Sequence, residues 1–547
     1  MLIRWRKQAC ALLAFIAITA TTQTSILAHD GHADNSAASA EDHFRMDFGF
    51  KGFEKLNRQL QKDFNTYDFK AGALRYRQSL SLQAPADAHL VGNWSPVFDL
   101  PVVAIQNAVL PTGKILMWDS VNDLPADSQD IHNMTRAIVW DPADGSATRY
   151  DVPNFNIFCS GFAAMPDGRL LVAGGNLNRI ADGLDKIHIF DPFDNSWNLM
   201  GNMLEGGRWY PSVTALSNGE MLITGGGPIT PEVYNMTTGL RSLSTAVIGT
   251  PLYPWLQAAP NGRTLYFGPD DTINYLDTAG TGAWEELGGR DGIYRTYGSY
   301  AMYDIGKILV TGGYESQKES VVIDANSQSP QVSQTSDMIF GRRQHNLTVL
   351  PDGTVLATGG NSSGAALLDL DAPVNAAELW NPTTGIWRQL SAMERTRQYH
   401  SMALLMPDGR VLVGGGGICA DCYDQDYLEK NIEIFSPPYL FNPDGSGNLA
   451  ARPEITASPD SIAYGQPFFI SVSTPKRVKK AVLIRPASVT HSVNFDQRRI
   501  PIPIIIGKRG MRVNAPASSS IAPPGYYMLF VLNDKGVPSV AKMVKLS

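Results

Sequence analysis

The chain has 547 residues, of which 18% are charged, and a formal net charge of −7. That length calls for more than one folding unit, and mild acidity without a basic run or basic helix argues against a nucleic-acid partner. Fifty glycines and thirty-five prolines, with few long helical patterns, point to an all-β protein rich in turns.

The start of the chain reads as an export signal over residues 1–28. A short basic segment (Arg4, Arg6, Lys7) precedes an apolar run from about Ala9 to Ile18, and Ile26-Leu27-Ala28 suits cleavage. The run falls short of the roughly 20 residues a membrane span needs. No stable span is therefore expected, with an uncleaved anchor as the alternative. The mature protein is expected to be secreted, periplasmic or at the cell surface, where disulfides persist. Of the four cysteines, Cys10 lies in the leader, and Cys419 and Cys422 are close enough to bridge. Cys159 is left over, and an odd thiol in an exported protein needs an explanation. It is either a small buried hydrophobe or consumed by other covalent chemistry. Residues 29–92 form a polar extension with one weak helical stretch around Phe53 to Phe64.

A repeat then dominates. Each copy has a turn dipeptide ending in glycine, a short apolar strand and usually a glycine doublet. The turn glycines are Gly113, Gly168, Gly219, Gly262, Gly306, Gly353 and Gly409. Asp-Gly and Asn-Gly between apolar runs are strong hairpin signals because such turns need positive φ. A period near 50 matches kelch-type blades, and Trp197, Trp284 and Trp387 fall on a later strand of their units. The expected architecture is a seven-bladed kelch-type β-propeller over residues 93–445. Beyond it, residues 446–547 show short alternating strands at Phe468 to Val472, Lys480 to Ile484, Tyr526 to Val531 and Ala541 to Leu546. This spacing predicts a C-terminal Ig-like β-sandwich.

Three segments carry reactive side chains at one place in their repeat: Phe158-Cys159-Ser160-Gly161, Arg208-Trp209-Tyr210-Pro211-Ser212 and Arg397-Gln398-Tyr399-His400-Ser401. Cys159, Tyr210 and His400 each precede the turn glycine by nine residues. In a propeller that place is the innermost strand, so Cys159, Tyr210, Tyr399 and His400 are expected to meet at the axis. Singly, each also reads as an ordinary packed residue. A fourth segment, Val489-Thr490-His491-Ser492-Val493-Asn494, is hairpin-like and carries His491, whose default reading is a surface histidine.

From Asn93 onward these motifs resemble the copper radical oxidases, the family of galactose oxidase and glyoxal oxidase, with the Arg-Trp-Tyr-Pro-Ser version closer to the glyoxal oxidase branch. The resemblance implies a thioether between Cys159 and the Tyr210 ring, made by the protein itself. It implies one copper ion per chain, bound equatorially by Tyr210, His400 and His491 and axially by Tyr399. It also implies a structural disulfide between Cys419 and Cys422. Nitrogen and oxygen ligands in a tetragonal set suit Cu(II). The implied reaction is oxidation of small aldehydes or primary alcohols by O2 with release of H2O2. Copper takes one electron and the Tyr210–Cys159 radical the other, while Tyr399 serves as general base.

The position at which galactose oxidase carries the tryptophan stacked on its cofactor corresponds to Pro228, which weakens the case for galactose. Trp209, or an aromatic between Tyr294 and Tyr300, is the candidate replacement. Arg290 and Arg295 lie in a loop and read either as substrate contacts or as solvated arginines. The competing reading is a non-catalytic carbohydrate-binding or wall-organising protein, for which a cell-wall or surface polysaccharide would be the partner. A monomer is expected.

Overall fold

A computed structural model describes residues 53–80, 82–119, 134–177, 182–364 and 366–547. The expected signal peptide and the extension up to residue 52 lie outside the described residues. Among the described residues no helix is long and apolar enough to cross a membrane.

Each copy of the repeat forms one antiparallel sheet. Five are four-stranded meanders beginning at Gly161–Ala164, Ser212–Ala215, Leu256–Ala258, Ser299–Asp304 and Asn346–Val349. The local cause is legible in the turns. All seven turn glycines lie at φ between 65° and 100°, a region that costs glycine nothing. In the five turns where Asp or Asn precedes the glycine, its side chain accepts the N–H two residues on, as Asp167 does from Arg169 at 3.1 Å and Asp408 from Arg410 at 2.9 Å. Trp197, Trp284 and Trp387 sit on fourth strands, as expected.

The first strands of successive sheets lie side by side: second with third, third with fourth, fifth with sixth, sixth with seventh, and seventh with first. The seventh sheet thus lies beside the first. It is completed from the other end of the chain, where Asn93–Trp94 and Phe98–Asp99 pair antiparallel with Asn431–Ser436. The extension is more helical than expected, with helices Phe53–Thr66 and Phe69–Ser79 ahead of this closing segment.

The C-terminal region forms a four-stranded and a five-stranded sheet. They share a core in which Ile470, Val472, Met511 and Val513 from one pack with Leu483, Leu529, Val531 and Val544 from the other. The predicted strands are present as Pro467–Val472, Val478–Ile484, Gly525–Asn533 and Lys542–Leu546.

One hairpin of this region leaves it. Ser488–Thr490 and Val493–Asn494 extend the first sheet of the repeat region, with Asn107 opposite Val489 and Ala108 opposite Ser488. The flanking side chains bind other first strands. Asp496 accepts the Ala164 N–H at 2.7 Å, Gln497 accepts the Val349 N–H at 2.9 Å, and Ser299 Oγ donates to the Ser492 carbonyl at 2.8 Å. Asp496 is itself paired with buried Arg485 at 2.9 Å. An unpaired charge there would be costly, so the insertion has one strongly preferred register.

Candidate metal centre

The site is built from turns. Cys159, Tyr210 and His400 lie in the turn that enters the first strand of their sheets, at φ of 62°, 61° and 67°. This corrects the expectation that they sit on the innermost strand itself. The same left-handed conformation recurs at Tyr253, Tyr297 and Gln344, each nine residues before its turn glycine. A non-glycine residue there costs roughly 1–3 kcal/mol and persists only where surrounding structure over-determines it. Here adjacent turns are laced together. Tyr210 N–H donates to the Cys159 carbonyl at 2.9 Å, and Tyr253 N–H to the Tyr210 carbonyl at 2.8 Å.

Buried ion pairs brace the same turns. Arg208, Arg342 and Arg397 are fully buried and pair with Glu232, Glu378 and Glu433 at 3.0, 2.8 and 3.2 Å. Each also donates to the carbonyl of a glycine in the doublet, Gly225, Gly359 and Gly415 respectively. Arg295 does the same with Asp291 and Gly312. Arg290 pairs with Asp291 and donates to the Phe267 and Asp270 carbonyls. Both loop arginines are therefore buried braces, and neither is solvated.

Four predicted ligands converge. Tyr210 Oη lies 3.0 Å from Tyr399 Oη and 3.1 Å from His491 Nε2. The His400 ring centroid is 4.5 Å from that of His491 and 3.8 Å from that of Tyr399, on which it stacks. All four are at most 6% exposed, so His491 is not the surface histidine its sequence context suggests. It occupies the first central position of a two-residue turn, with φ 46° followed by 68° at Ser492. Turns of this type favour Asn-Gly, so a histidine there marks a position held against local preference. His400 Nδ1 donates to the Gly417 carbonyl at 2.6 Å, and His491 Nδ1 shares a hydrogen bond with Thr490 Oγ1 at 2.6 Å. Both contacts turn Nε2 toward the shared centre and fix ring orientation, as partners of metal-ligating histidines do. Two imidazole nitrogens and two phenol oxygens form a set suited to Cu(II).

Cys159 is fully buried and shares one apolar cluster with Tyr210. Cys419 and Cys422 form a disulfide. Aromatic rings pack around Tyr210. Trp209 meets it edge-on at 4.4 Å, and Tyr253 at 4.6 Å and 61°. Tyr297 packs against Tyr399 instead. Pro228, which offers no aromatic ring, accepts at its carbonyl from Arg208. Tyr253 was absent from the sequence-derived candidates. Its nine-residue spacing to Gly262 was the available signal, masked because its repeat lacks the Arg-containing motif.

The family model described as glyoxal oxidase N-terminus matches residues 119–439, and that described as galactose oxidase-like, Early set domain, matches residues 452–546. A galactose oxidase of Gibberella zeae is 34% identical over 511 residues, spanning 86% of this chain and 72% of that protein. An aldehyde oxidase GLOX of Vitis pseudoreticulata is 32% identical over 440 residues, spanning 71% of this chain and 82% of that protein. A solved structure described as a novel fungal alcohol oxidase of the AA5 family, in complex with copper, superposes with a TM-score of 0.75 at 30% identity. It covers 84% of this chain and 100% of its own. Taken with the converging tyrosines and histidines, these matches mean that the chain belongs to the copper radical oxidase family of galactose oxidase and glyoxal oxidase.

Proposed function

We propose that this chain is an exported oxidase in which Cys159 and Tyr210 are joined by a thioether, and one copper ion is held by Tyr210, Tyr399, His400 and His491. The observation carrying the reading is that the Tyr399 phenol oxygen and the His491 Nε2 both lie within 3.1 Å of the Tyr210 phenol oxygen, with the second imidazole alongside. Copper in that position supplies a one-electron couple which, with a radical on the Tyr210–Cys159 pair, allows a two-electron oxidation by dioxygen with hydrogen peroxide as product.

The chain's own groups divide the remaining work. Tyr399 receives the substrate hydroxyl proton at its phenol oxygen. A free phenol has a pKa of about 10, so it is a useful base only as a phenolate stabilised by a nearby cation. Tyr210 takes the hydrogen from the substrate carbon, and a thioether on its ring spreads the unpaired electron. Trp209 and Tyr253 pack against that ring and keep water from it. Gly417 holds His400 in the tautomer with Nε2 as its lone-pair nitrogen. The substrate class is small aldehydes or primary alcohols, in line with relatives of both kinds.

The seven sheets, the contact of the seventh first strand with the first, and the strand pairing at residue 93 support a seven-bladed kelch-type propeller over residues 93–445. Two sheets sharing one core support an Ig-like sandwich over 446–547. In that reading the sandwich lends the propeller its His491.

The test is peptide mass mapping of protein exposed to copper in air. Cys159 and Tyr210 peptides joined with loss of two hydrogens are expected. Separate peptides from copper-loaded protein would overturn the cofactor assignment and favour a binding role.

A further inference from the structure

The strand-rich C-terminal region carries a charge asymmetry that the catalytic reading does not use. Residues 476–512 contain ten Lys and Arg and one carboxylate, Asp496, in a chain whose net charge is −7. Asp496 is buried against Arg485. Seven of the cations are exposed, and among the described residues only Arg477 of these has an ion pair, with Asp534. The linear cluster Lys476-Arg477-Val478-Lys479-Lys480, missed by the reading that found no basic run, holds four of these cations, and the other three come from a second place in the sequence. Lys476 to Lys480 lead into the strand Val478–Ile484. Lys508, Arg509 and Arg512 surround the turn between Ile504–Ile506 and Gly510–Asn514. The fold brings the strands Val478–Ile484 and Ile504–Ile506 together.

The apolar residues beside these cations face outward. Ile505 is opposite Arg512, and Arg512 is opposite Phe469, so the three share the outer face of the four-stranded sheet. Ile505 is 69% exposed and Phe469 47%. The inward neighbours Met511 and Val513 fill the core, so the exposure follows from strand alternation. Ile504–Ile506 is also the edge of its sheet. An edge strand rich in isoleucine invites aggregation unless it is charged or covered. Here the guard is entirely cationic.

The geometry points to this edge as a docking surface for an anionic lipid bilayer. Long Lys and Arg side chains reach phosphate while their stems lie along apolar surface, and branched aliphatic side chains between them enter the headgroup boundary. Anionic polysaccharide fits less well, because the most exposed apolar group is Ile505 and Phe469 is a single ring beside it, not a stacked aromatic platform. A peripheral contact of this kind needs no membrane span. It would hold a peroxide-producing enzyme at an envelope surface.

The experiment is co-sedimentation of the mature full-length chain with vesicles of phosphatidylcholine, with and without about one quarter phosphatidylglycerol. Binding is expected only with the anionic lipid, and is lost as salt shortens the Debye length from about 10 Å at 0.1 M to about 3 Å at 1 M. The triple substitution Lys508→Glu, Arg509→Glu, Arg512→Glu is expected to weaken it about a hundredfold, at roughly fivefold per cation. Ile505→Ser with Ile506→Ser is expected to weaken it about tenfold at unchanged charge. Oxidase activity and melting temperature should not move in either variant. Failure to bind anionic vesicles at low salt overturns the proposal. So does binding of soluble polygalacturonate to the same cations with vesicle binding indifferent to the isoleucines. A dimer dispersed by the isoleucine substitutions, without vesicle binding, overturns it as well and assigns the edge to a second copy of the chain.

Discussion

Gly161→Ala is the sharpest perturbation of the proposed cofactor. Gly161 opens the first strand of the second sheet, two residues after Cys159. A Cβ built there would lie 2.4 Å from the Pro211 carbonyl oxygen, 3.0 Å from its carbon and 3.1 Å from the Val213 nitrogen. All three are backbone atoms of the strand entry that follows Tyr210. The nearest contact is about 1 Å inside ordinary van der Waals separation, and no rotamer relieves it, so the second and third strand entries must part. Overpacking of this kind costs about 1–3 kcal/mol, which a domain of this size survives folded. The chemical cost is larger. Cys159 and Tyr210 ride on the two parted segments, and a misplacement of about 1 Å between reacting groups costs about 10²-fold in rate. The variant is therefore expected to retain its circular dichroism spectrum and lose a few degrees of melting temperature. In copper and air, mass mapping should show joined Cys159–Tyr210 peptides appearing about two orders of magnitude more slowly. Wild-type cross-linking in a folded variant would refute the inference that this close approach positions the pair.

Tyr210→Phe removes both the proposed radical site and a ligand oxygen. Peroxide production should fall at least about 10³-fold, at the scale of lost transition-state groups, while melting temperature changes little; a carbohydrate-binding role would survive it. Truncation after about residue 450 removes His491 and the hairpin paired with Gln106–Val109, and stoichiometric copper in such a chain by metal analysis would contradict the ligand set. His188 is 2% exposed, and burial lowers its pKa from 6.5 to about 4. Between those values the unfolded chain binds a proton that the folded chain refuses, so stability falls as pH drops from about 6.5 to about 4, by up to about 3 kcal/mol. His188→Leu should flatten that part of a pH–melting curve, and an unchanged slope would show that other groups cause it.

The repeat was legible because its turns obey local rules. An Asp or Asn before glycine declares a hairpin, as it does in five of the seven copies, and all seven turn glycines adopt the required φ. The strands at 467–472 and 525–533 could be read from alternation for the same reason. The nine-residue spacing from turn glycine to reactive residue was visible for Cys159, Tyr210 and His400. It was overlooked for Tyr253, whose surroundings carry no reactive motif. Arg290 and Arg295 were misjudged because burial of an arginine depends on whether a carboxylate and free carbonyls wait at the end of its side chain. Asp291 and the doublet carbonyls are there only once the sheets are assembled.

Local sequence alone thus determined the strands, the turns and the chemical identity of the ligand candidates, since each depends on a residue and its near neighbours. Convergence was decided by tertiary structure. His491 is separated from Tyr210 by 281 positions, and nothing in its own hairpin indicates a metal. It reaches Tyr210 because the C-terminal hairpin pairs with the first sheet and because Asp496, Gln497 and Ser492 find partners on the surrounding first strands. Those partners are backbone and hydroxyl groups with no signature in sequence. The outward basic edge at Ile505 has the same origin, since cations near 480 and near 510 share a surface only after two strands are placed side by side.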